Sequence, residues 1–313
     1  MENESMSEIH EISLDPFYIP PRGKYPIFFL GVIIYLFAIF CNMTLLALII
    51  FERKLHTPMY FILFSLPLND LVGITAMLPK LLHSIVSKDR SISYPGCFLQ
   101  ALLIHIYGSG NFLFLTAMAY DRYIAICLPL RYHSLMTSNI LIRIIVVVWL
   151  FDIFIMVVLF GISTRSKFCM NNIVDVFCNN PSLVKLLCED SSVVAFGLAM
   201  FSLLLPLVFI IFSYFSIIVA VVRMSSSDGR TRALSTCTPQ LFITCLYYMP
   251  RCFVYLANNV GFNFSDQVRI IVIMLYSVLP AAVNPVIYCF KTKDIKETLK
   301  KRLNNRKATV NFF

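Results

Sequence analysis

The chain has 313 residues, of which 58% are hydrophobic and only 14% charged, with a formal net charge of +9. Soluble domains average about 25% charged residues. The composition therefore excludes an ordinary cytosolic enzyme, a disordered chain and a small disulfide-framework domain. The first long apolar segment, Ile27–Ile50, contains 24 residues without a charge. At about 1.5 Å per residue, a helix of this length crosses the hydrocarbon core of a membrane.

Six further apolar segments follow along the chain. They are Pro58–Leu82, Cys97–Cys127, Ile140–Gly161, Val193–Val222, Ala233–Ala257 and Val268–Cys289. Seven such segments leave too little polar chain to cover a large soluble core. They are also apolar on all sides, unlike the alternating strands of a membrane β-barrel. We therefore predict an all-α membrane protein, a seven-transmembrane helix bundle that forms one domain over residues 26–290.

The basic residues predict how the bundle is oriented. If the C-terminal end lies inside the cell, 16 of the 26 Lys and Arg residues fall on the inner side, as the positive-inside rule favours. Residues 1–25 include five acidic residues and no basic n-region. We predict that they form an extracellular N-terminus rather than a cleaved signal peptide. The predicted location is the plasma membrane, crossed several times.

The C-terminal segment 291–313 contains eight basic and two acidic residues, and Ile295, Leu299 and Leu303 recur every four positions. This spacing predicts a short amphipathic eighth helix on the anionic inner surface of the membrane, followed by a basic tail. A fully solvated tail is the alternative. Because the positive charge follows a membrane span directly, we predict membrane lipids, and not nucleic acid, as its partner.

Four of the ten cysteines, Cys97, Cys169, Cys178 and Cys188, are expected on the outer side. An oxidising compartment permits disulfides there, and the sequence alone leaves three pairings open. The loop that holds three of them has no His and no Cys-x-x-Cys spacing, so it predicts no zinc site. Asn3 is the predicted glycosylation site, and the use of Asn263 is left open.

Polar residues within the apolar segments are candidates for function, because burying them in a membrane is costly. Asp70 lies within the second segment. With Asn42, Asn111 and Asn284 it is predicted to form one polar cluster between helices. That cluster either holds Na⁺ or water, or consists of plain hydrogen bonds between helices.

Asp152 and Arg251 lie in the fourth and sixth segments, and two interpretations remain open. They pair with each other, or Arg251 faces a cavity and binds an anion, which we favour because Pro250 bends that helix. His105 is a second candidate polar contact, with a neighbouring helix as its alternative partner. No Ser/His/Asp set or metal-ligand set is apparent in the sequence, so we predict neither an enzyme nor a cofactor.

Five stretches together resemble the vertebrate odorant (olfactory) receptors, a group of rhodopsin-like G-protein-coupled receptors. They are Pro58–Phe61 continuing to Asp70, Met118–Cys127 continuing through Leu128–Tyr132, Ser213–Tyr214, Arg232–Cys237 and Asn284–Tyr288. The triplet Asp121-Arg122-Tyr123 alone indicates the rhodopsin-like class, whereas the whole run around it is typical of odorant receptors. The resemblance covers nearly the whole chain. Its departures are Gln240 for a common His, Pro67 for a usual Ser, and the charge of Arg251.

The resemblance implies two disulfides, Cys97–Cys178 and Cys169–Cys188. It also implies a cavity for a small odorant in the outer half of the bundle. By correspondence the cavity is lined by Ile104, His105, Gly108, Ser109, Phe112, Leu198, Ser202, Tyr248, Arg251, Phe253, Tyr255, Asn259, Met274 and Ser277. Arg251 and His105 in one cavity favour an anionic odorant such as a carboxylic acid.

The resemblance further implies an activation switch at the inner end of the bundle. Its residues are Asp121, Arg122, Tyr123, Tyr214, Asn284, Pro285 and Tyr288. The implied function is an odorant receptor in olfactory cilia that activates a stimulatory, olfactory-type G protein and raises cyclic AMP. The alternatives are a non-olfactory rhodopsin-like receptor for a lipid or peptide, or a transporter, although the sequence shows no paired repeats.

Overall fold

Seven long helices form the body of the molecule. The computed structural model describes residues 11–14, 21–87, 89–165, 169–170, 172–173, 175, 177–188, 192–259 and 266–310. Within them the helices are α1 (Lys24–Phe51), α2 (Pro58–Val86), α3 (Tyr94–Cys127), α4 (Ser138–Arg165), α5 (Ser192–Arg223), α6 (Ser227–Asn259), α7 (Asp266–Lys291) and the shorter α8 (Lys293–Val310). The predicted all-α, seven-helix bundle with an eighth helix is confirmed.

Each long helix contains one of the seven predicted apolar segments. Helices α1 to α5 are long and apolar enough to cross a membrane by length and composition. Over the residues that are described, α6 and α7 fall outside that criterion; α6 begins with charged residues and also includes Arg251. Both helices nevertheless pack within the bundle, α6 against α3, α5 and α7, and α7 against α1 and α2.

Local sequence signals explain where the helices begin. Before α2, Thr57 is extended and Pro58 occupies the first turn, where its missing N–H is not needed. Before α3, the Ser93 hydroxyl accepts a hydrogen bond from the Gly96 N–H at 3.3 Å, which satisfies a backbone donor at the helix start. Helix α3 ends at Cys127, two residues before Pro129.

Helix α3 lies at the centre of the bundle, in contact with α2, α4, α5 and α6. It therefore contributes to both polar regions of the bundle, the one around Asp70 and the one around Asp121. Near its start, Cys97 is disulfide-bonded, and we name that end of the bundle the disulfide end. Asp121 and Arg122 lie near the C-terminal end of α3, and we name that end of the bundle the Asp121 end. Large apolar side chains such as Phe29, Phe40 and Phe215 are exposed on the outside of the bundle, as a membrane surface requires.

A small three-stranded sheet covers part of the disulfide end. Its strands are β1 (Glu11–Leu14), β2 (Ser91–Ser93) and β3 (Asn172–Ile173), in the order β2-β1-β3. Strand β1 is antiparallel to β2 and parallel to β3. Its apolar residues alternate with polar ones, and Ile12 and Leu14 are buried against the cluster around Cys97. The sequence analysis did not predict these strands.

Short elements connect the long helices. Residues Tyr132–Leu135 form one helical turn after α3, and Asn180–Val184 form another in the loop before α5. Three further turns, Pro21–Gly23, Arg53–Leu55 and Pro129–Arg131, are 3₁₀ helices. The Asn179 side chain begins the loop helix by accepting a hydrogen bond from the Ser182 N–H at 2.9 Å.

Helix α8 returns along the Asp121 end of the bundle. Ile295 is fully buried and Leu299 packs against the core, so the apolar face predicted from the sequence contacts the bundle itself. Lys54 lies 3.3 Å from Asp294 and 3.0 Å from Glu297. A second ion pair joins Arg302 of α8 to Glu52, at 2.5 Å. The side chain of Leu303 lies outside the described residues.

Candidate ligand-binding and activation sites

The middle of the bundle contains a hydrogen-bonded cluster around the fully buried Asp70 carboxylate. Asp70 Oδ1 accepts hydrogen bonds from Asn111 Nδ2 at 3.1 Å and from the Tyr247 hydroxyl at 2.9 Å. Its other oxygen accepts from Asn284 Nδ2 at 3.0 Å. These contacts join α2, α3, α6 and α7 at one point. Three of the four residues predicted for this cluster are therefore in direct contact.

Asn42, the fourth predicted member, lies beside the cluster and has other partners. Its amide donates to Ala38 O and Ala281 O, both at 2.8 Å, so it connects α1 to α7. Asn69 extends the cluster on the opposite side by donating to Asn111 Oδ1 at 3.1 Å and Tyr107 O at 2.8 Å. Hydrogen bonds between helices therefore join these residues directly, and the binding of Na⁺ or water by the cluster stays a prediction.

The Asp121 end contains an ion pair held by a residue of the following turn. Arg122 Nη2 lies 3.2 Å from Asp121 Oδ2. The Tyr132 hydroxyl donates to Asp121 Oδ1 at 2.9 Å. Burial raises the pKa of Tyr132, and the nearby Asp121 charge raises it further. The hydroxyl therefore stays protonated and able to donate. This arrangement keeps the buried Asp121 carboxylate against Arg122 near the last turn of α3.

Two buried tyrosines accompany this ion pair. Tyr214 of α5 and Tyr288 of α7 are both buried. The Tyr288 hydroxyl lies 3.7 Å from Met118 Sδ, whereas the Tyr214 hydroxyl has no hydrogen-bond partner within the described part of the chain. Tyr123 is only partly buried and packs against Phe212 of α5. Pro285 lies within α7, next to Asn284.

Two disulfides fix the opposite end. Cys97 of α3 is bonded to Cys178, and Cys169 to Cys188, the two pairs that the resemblance implies. The Cys178 N–H also donates to Gln100 Oε1 at 2.9 Å, and Gln100 Nε2 donates to Ala76 O at 2.9 Å. The loop before α5 is therefore joined to both α3 and α2. Asn3, the predicted glycosylation site, lies outside the described residues.

Four residues of the predicted ligand set meet between α3 and α6. The Arg251 guanidinium carbon lies 4.8 Å from the centre of the Phe112 ring, and Arg251 Nη1 donates to Gly108 O at 3.4 Å. The Tyr248 ring lies 4.4 Å from the same Phe112 ring. Arg251 is also 5.3 Å from the ring centre of Tyr276 on α7.

A second group of predicted ligand residues faces α4 and α5 instead. The Ser109 hydroxyl lies 2.5 Å from Asp152 Oδ1 and 2.7 Å from His105 O. His105 Nδ1 lies 3.0 Å from Ala101 O, and its ring packs edge-on against Phe160 of α4. Ser109 and Ser202 line a narrow cleft between α3, α4 and α5.

These contacts contradict one of the two interpretations, the pairing of Asp152 with Arg251, and leave anion binding by Arg251 as a prediction. Asp152 hydrogen-bonds to Ser109, whereas Arg251 contacts Gly108 and two aromatic rings. No ion pair joins Asp152 to Arg251 in the structure described. His105 contacts Phe160 of α4, as in the neighbouring-helix alternative.

The remaining predicted ligand residues are more widely spread. Leu198 packs beside the cluster around Cys97, and Ile104 and Met274 pack with the cluster between α2 and α7. Ser277 accepts a hydrogen bond from the Tyr107 hydroxyl at its carbonyl, at 2.7 Å. Phe253 is 56% exposed, and because it follows Arg251 by two residues it projects to the other side of α6. The side chains of Tyr255 and Asn259 lie outside the described residues.

The sequence analysis missed several site residues, among them Asn69, Tyr276 and two tyrosines that donate to carboxylates. Tyr247 donates to Asp70, and Tyr132 to Asp121. Tyr132 did occur in the motif that identified the family resemblance, but nothing in its spacing indicated a hydrogen bond eleven residues back. A tyrosine within an apolar segment is itself a weak signal, because a buried hydroxyl needs a partner.

Comparisons with known proteins agree with one another. The family model described as olfactory receptor matches residues 31–306. Olfactory receptor 1 of Rattus norvegicus is 34% identical over 298 residues, which cover 94% of each chain. Olfactory receptor 2W1 of Homo sapiens is 32% identical over 305 residues, which cover 96% of this chain and 95% of that one.

A solved structure also shares this fold. The crystal structure of squid rhodopsin superimposes with a TM-score of 0.75 at 17% sequence identity, over 93% of this chain and 90% of that one. At this identity the similarity concerns the helical arrangement alone. It agrees with the seven-helix bundle described above.

Proposed function

Because this chain belongs to the olfactory receptor family, we propose that it is an odorant receptor that activates a stimulatory, olfactory-type G protein and raises cyclic AMP. Its family and fold make it a multi-pass G-protein-coupled receptor of the plasma membrane and not an enzyme. The observation on which the proposal depends most is the family match over residues 31–306. It includes the Asp121–Arg122 pair and the helices around it.

In the proposed orientation the disulfide end faces outside and the Asp121 end faces the cytoplasm. The positive-inside rule supports this orientation, because the tail after α7 is rich in basic residues. An outer location also suits the two disulfides, which need an oxidising compartment. The proposed cellular site is the cilia of olfactory neurons.

The odorant binds in the disulfide-end half of the bundle. Gly108, Phe112, Tyr248 and Arg251 support this location, because they converge between α3 and α6. Aromatic rings with a few polar groups are the usual lining of a site for small ligands. An odorant shifts the receptor toward its active form only to the extent that it binds that form more tightly. A tenfold preference contributes about 1.4 kcal/mol.

Arg122 acts as the switch at the cytoplasmic end. In the resting form it is held by Asp121, which Tyr132 fixes in turn. On activation Arg122 turns toward the space that opens between α3, α5 and α6, where the C-terminus of the G-protein α-subunit enters. Tyr214 and Tyr288 move in to support it. The Tyr214 hydroxyl supports this step, since it has no partner among the described residues and a buried hydroxyl is stabilised when it acquires one.

Cyclic AMP measurement in cells tests this function. The chain is co-expressed with the olfactory-type stimulatory G protein and exposed to a panel of acids, esters, alcohols and amines. An N-terminal tag reports surface display in the same cells. We expect a dose-dependent rise that is lost in Arg122→Ala and kept in Tyr120→Phe, an exposed neighbour on α3. Silence across the panel despite surface display would count against this coupling.

A further inference from the structure

Arg251 places a guanidinium inside the bundle, where no acidic side chain of the described residues pairs with it. It is partly buried in α6, between Gly108 and Phe112 of α3 and Tyr276 of α7. Gly108 lies eleven residues beyond the disulfide-bonded Cys97, or about 16 Å along a helix. The guanidinium therefore lies well below the disulfide end, at a depth where water does not screen its charge freely.

The contacts that Arg251 makes with described residues include no counter-ion for its charge. Its hydrogen bond to Gly108 O is long, at 3.4 Å, and its other contacts are faces of aromatic rings. Within the described residues it forms no ion pair. Asp152, the acid considered as a partner from the sequence, accepts a hydrogen bond from the Ser109 hydroxyl instead. A charge buried in this way is costly until an anion joins it.

A second donor without a partner lies next to this guanidinium. The Tyr248 side chain is 4% exposed, and its hydroxyl has no hydrogen-bond partner among the residues described. Tyr248 precedes Arg251 by three residues, which places the two side chains on one face of α6. Both contact the same ring, Phe112. A buried hydroxyl without a hydrogen-bond partner destabilises the protein, and a ligand that accepts its hydrogen bond removes that cost.

We propose that Arg251 and Tyr248 form an anion-binding subsite that holds the carboxylate of a small monocarboxylic acid. This inference rests on the proposed function and names the class of odorant that the receptor takes. A carboxylate accepts two parallel N–H hydrogen bonds from one guanidinium. Its remaining lone pairs can accept a hydrogen bond from the Tyr248 hydroxyl. The aromatic rings of Phe112 and Tyr276 provide apolar surface for the hydrocarbon part.

Gly108 leaves room for the guanidinium at this subsite. A Cβ atom on this residue would lie 3.3 Å from Arg251 Nη2 and 3.6 Å from Nη1. The shorter distance is tighter than ordinary van der Waals contact, so a methyl group there would displace the guanidinium by a few tenths of an ångström. Gly108→Ala therefore changes the subsite without removing either donor.

Direct binding to purified receptor tests the proposal. The receptor is placed in nanodiscs of zwitterionic phosphatidylcholine, so that lipid supplies no anionic headgroup with a net charge. The probes are butanoate, hexanoate, octanoate and decanoate, each compared with its methyl ester. Affinity is measured from the ligand-dependent shift in the unfolding temperature. The variants are Arg251→Gln, Arg251→Lys, Tyr248→Phe and Gly108→Ala, with Met249→Ala as control, because Met249 is exposed on another side of α6.

We expect at least one acid to stabilise the wild-type receptor at concentrations where its ester does not. Arg251→Gln should weaken that acid at least tenfold, and Tyr248→Phe and Gly108→Ala severalfold. Arg251→Lys should keep part of the affinity, and Met249→Ala all of it. Without ligand, Arg251→Gln should unfold no earlier than wild type, because removing a partly buried charge that has no ion pair among the described residues offsets the loss of its contacts with Gly108 O and the two rings. Equal stabilisation by acids and esters, no acid effect on wild type, or earlier unfolding of ligand-free Arg251→Gln would overturn the proposal.

The same variants separate this inference from the proposed function. If neutral odorants raise cyclic AMP in an Arg122-dependent manner while no acid binds, the receptor function stands and the anion subsite fails. If acids bind through Arg251 but no ligand raises cyclic AMP, the subsite stands and the proposed coupling fails.

Discussion

Each of the two polar regions of this receptor is stabilised by one tyrosine hydroxyl. At Asp70 and at Asp121, a tyrosine from another part of the chain donates to a buried carboxylate. Hydrogen bonds to charged groups contribute more to stability than those between neutral groups, at about 1.5–3 kcal/mol. Removing either hydroxyl while keeping the ring therefore tests one interaction without creating a cavity.

Tyr247→Phe is expected to destabilise the resting bundle. The Tyr247 hydroxyl donates to Asp70 and also lies 2.8 Å from Asn111 Nδ2 and 2.7 Å from Asn284 Nδ2. Losing it leaves buried polar groups with fewer partners, at a cost of about 1–3 kcal/mol. The unfolding temperature of the purified receptor should fall clearly. Tyr35→Phe is the matched control, because that hydroxyl makes an exposed 3.3 Å contact with Thr75; an equal fall in both variants would contradict the prediction.

Tyr132→Phe is expected to raise basal signalling. Without the 2.9 Å hydrogen bond from Tyr132, Asp121 holds Arg122 less firmly. A loss of about 1 kcal/mol in the resting form shifts the equilibrium toward the active form about fivefold. Ligand-free cyclic AMP, normalised to surface display, measures the effect. Tyr120→Phe, on the exposed side of α3, should leave basal cyclic AMP unchanged. A basal level in Tyr132→Phe equal to wild type would show that this hydroxyl does not hold the switch.

At the scale of the helices, α8 is attached to the turn between α1 and α2 by charges and by one apolar face. Lys54 contacts two acidic residues of α8, and Glu52 contacts Arg302. Exposed ion pairs contribute little singly, but here they act together with the burial of Ile295. The apolar residues of α8 attach it to the bundle, and the ion pairs fix its position there.

Reversing one pair and then both tests this attachment. Glu52→Arg alone should loosen α8, because it places a cation beside Arg302, and the double variant Glu52→Arg with Arg302→Glu should restore it. Amide hydrogen exchange over residues 293–302 should speed up in the single variant and return toward the wild-type rate in the double one. Lys293→Glu serves as control, since its 4.0 Å contact with Glu297 is highly exposed. Failure of the double variant to recover would exclude a direct pair.

At the scale of the whole molecule, two disulfides and one small sheet close the disulfide end. The Cys97–Cys178 bond joins residues 81 positions apart, and the Cys169–Cys188 bond residues 19 positions apart. Strand β1 adds residues from the N-terminal region to this closure, with Ile12 buried beside the Cys97 cluster. Segments far apart in the chain thus meet over the region proposed for the odorant.

Removing the longer-range disulfide should cost more stability than removing the other. In the chain-entropy model the stability lost with a disulfide grows with the logarithm of the number of residues in the closed loop. The stability lost therefore differs by about 1 kcal/mol between these two disulfides. The double variant Cys97→Ser/Cys178→Ser should therefore reach the cell surface less than Cys169→Ser/Cys188→Ser. Surface labelling and the unfolding temperature of each variant measure this. Equal losses would show that the local loop, and not the link to α3, limits folding.

The sequence was enough to predict the seven helices, because a segment of about 20 apolar residues without a charge is typical of a membrane-spanning helix. The fifth predicted span, Val193–Val222, differs from helix α5 by one residue at each end. The sixth, Ala233–Ala257, begins six residues after its helix does, because α6 extends through a charged segment that the hydropathy pattern does not mark. Membership of the olfactory receptor family was likewise recognisable from motifs that are continuous in the chain.

Contacts between distant residues were decided only by the tertiary structure. Whether Arg251 meets Asp152 depends on how α4 and α6 are rotated about α3, and no local pattern records that rotation. The structure turns Asp152 toward Ser109 and Arg251 toward Phe112. The reach of Tyr247 to Asp70 and the pairing of β1 with β3 have the same origin. The apolar pattern determined which segments become helices, because burial from water depends on composition; the packing of those helices determined which polar groups meet, because hydrogen bonds depend on direction and distance.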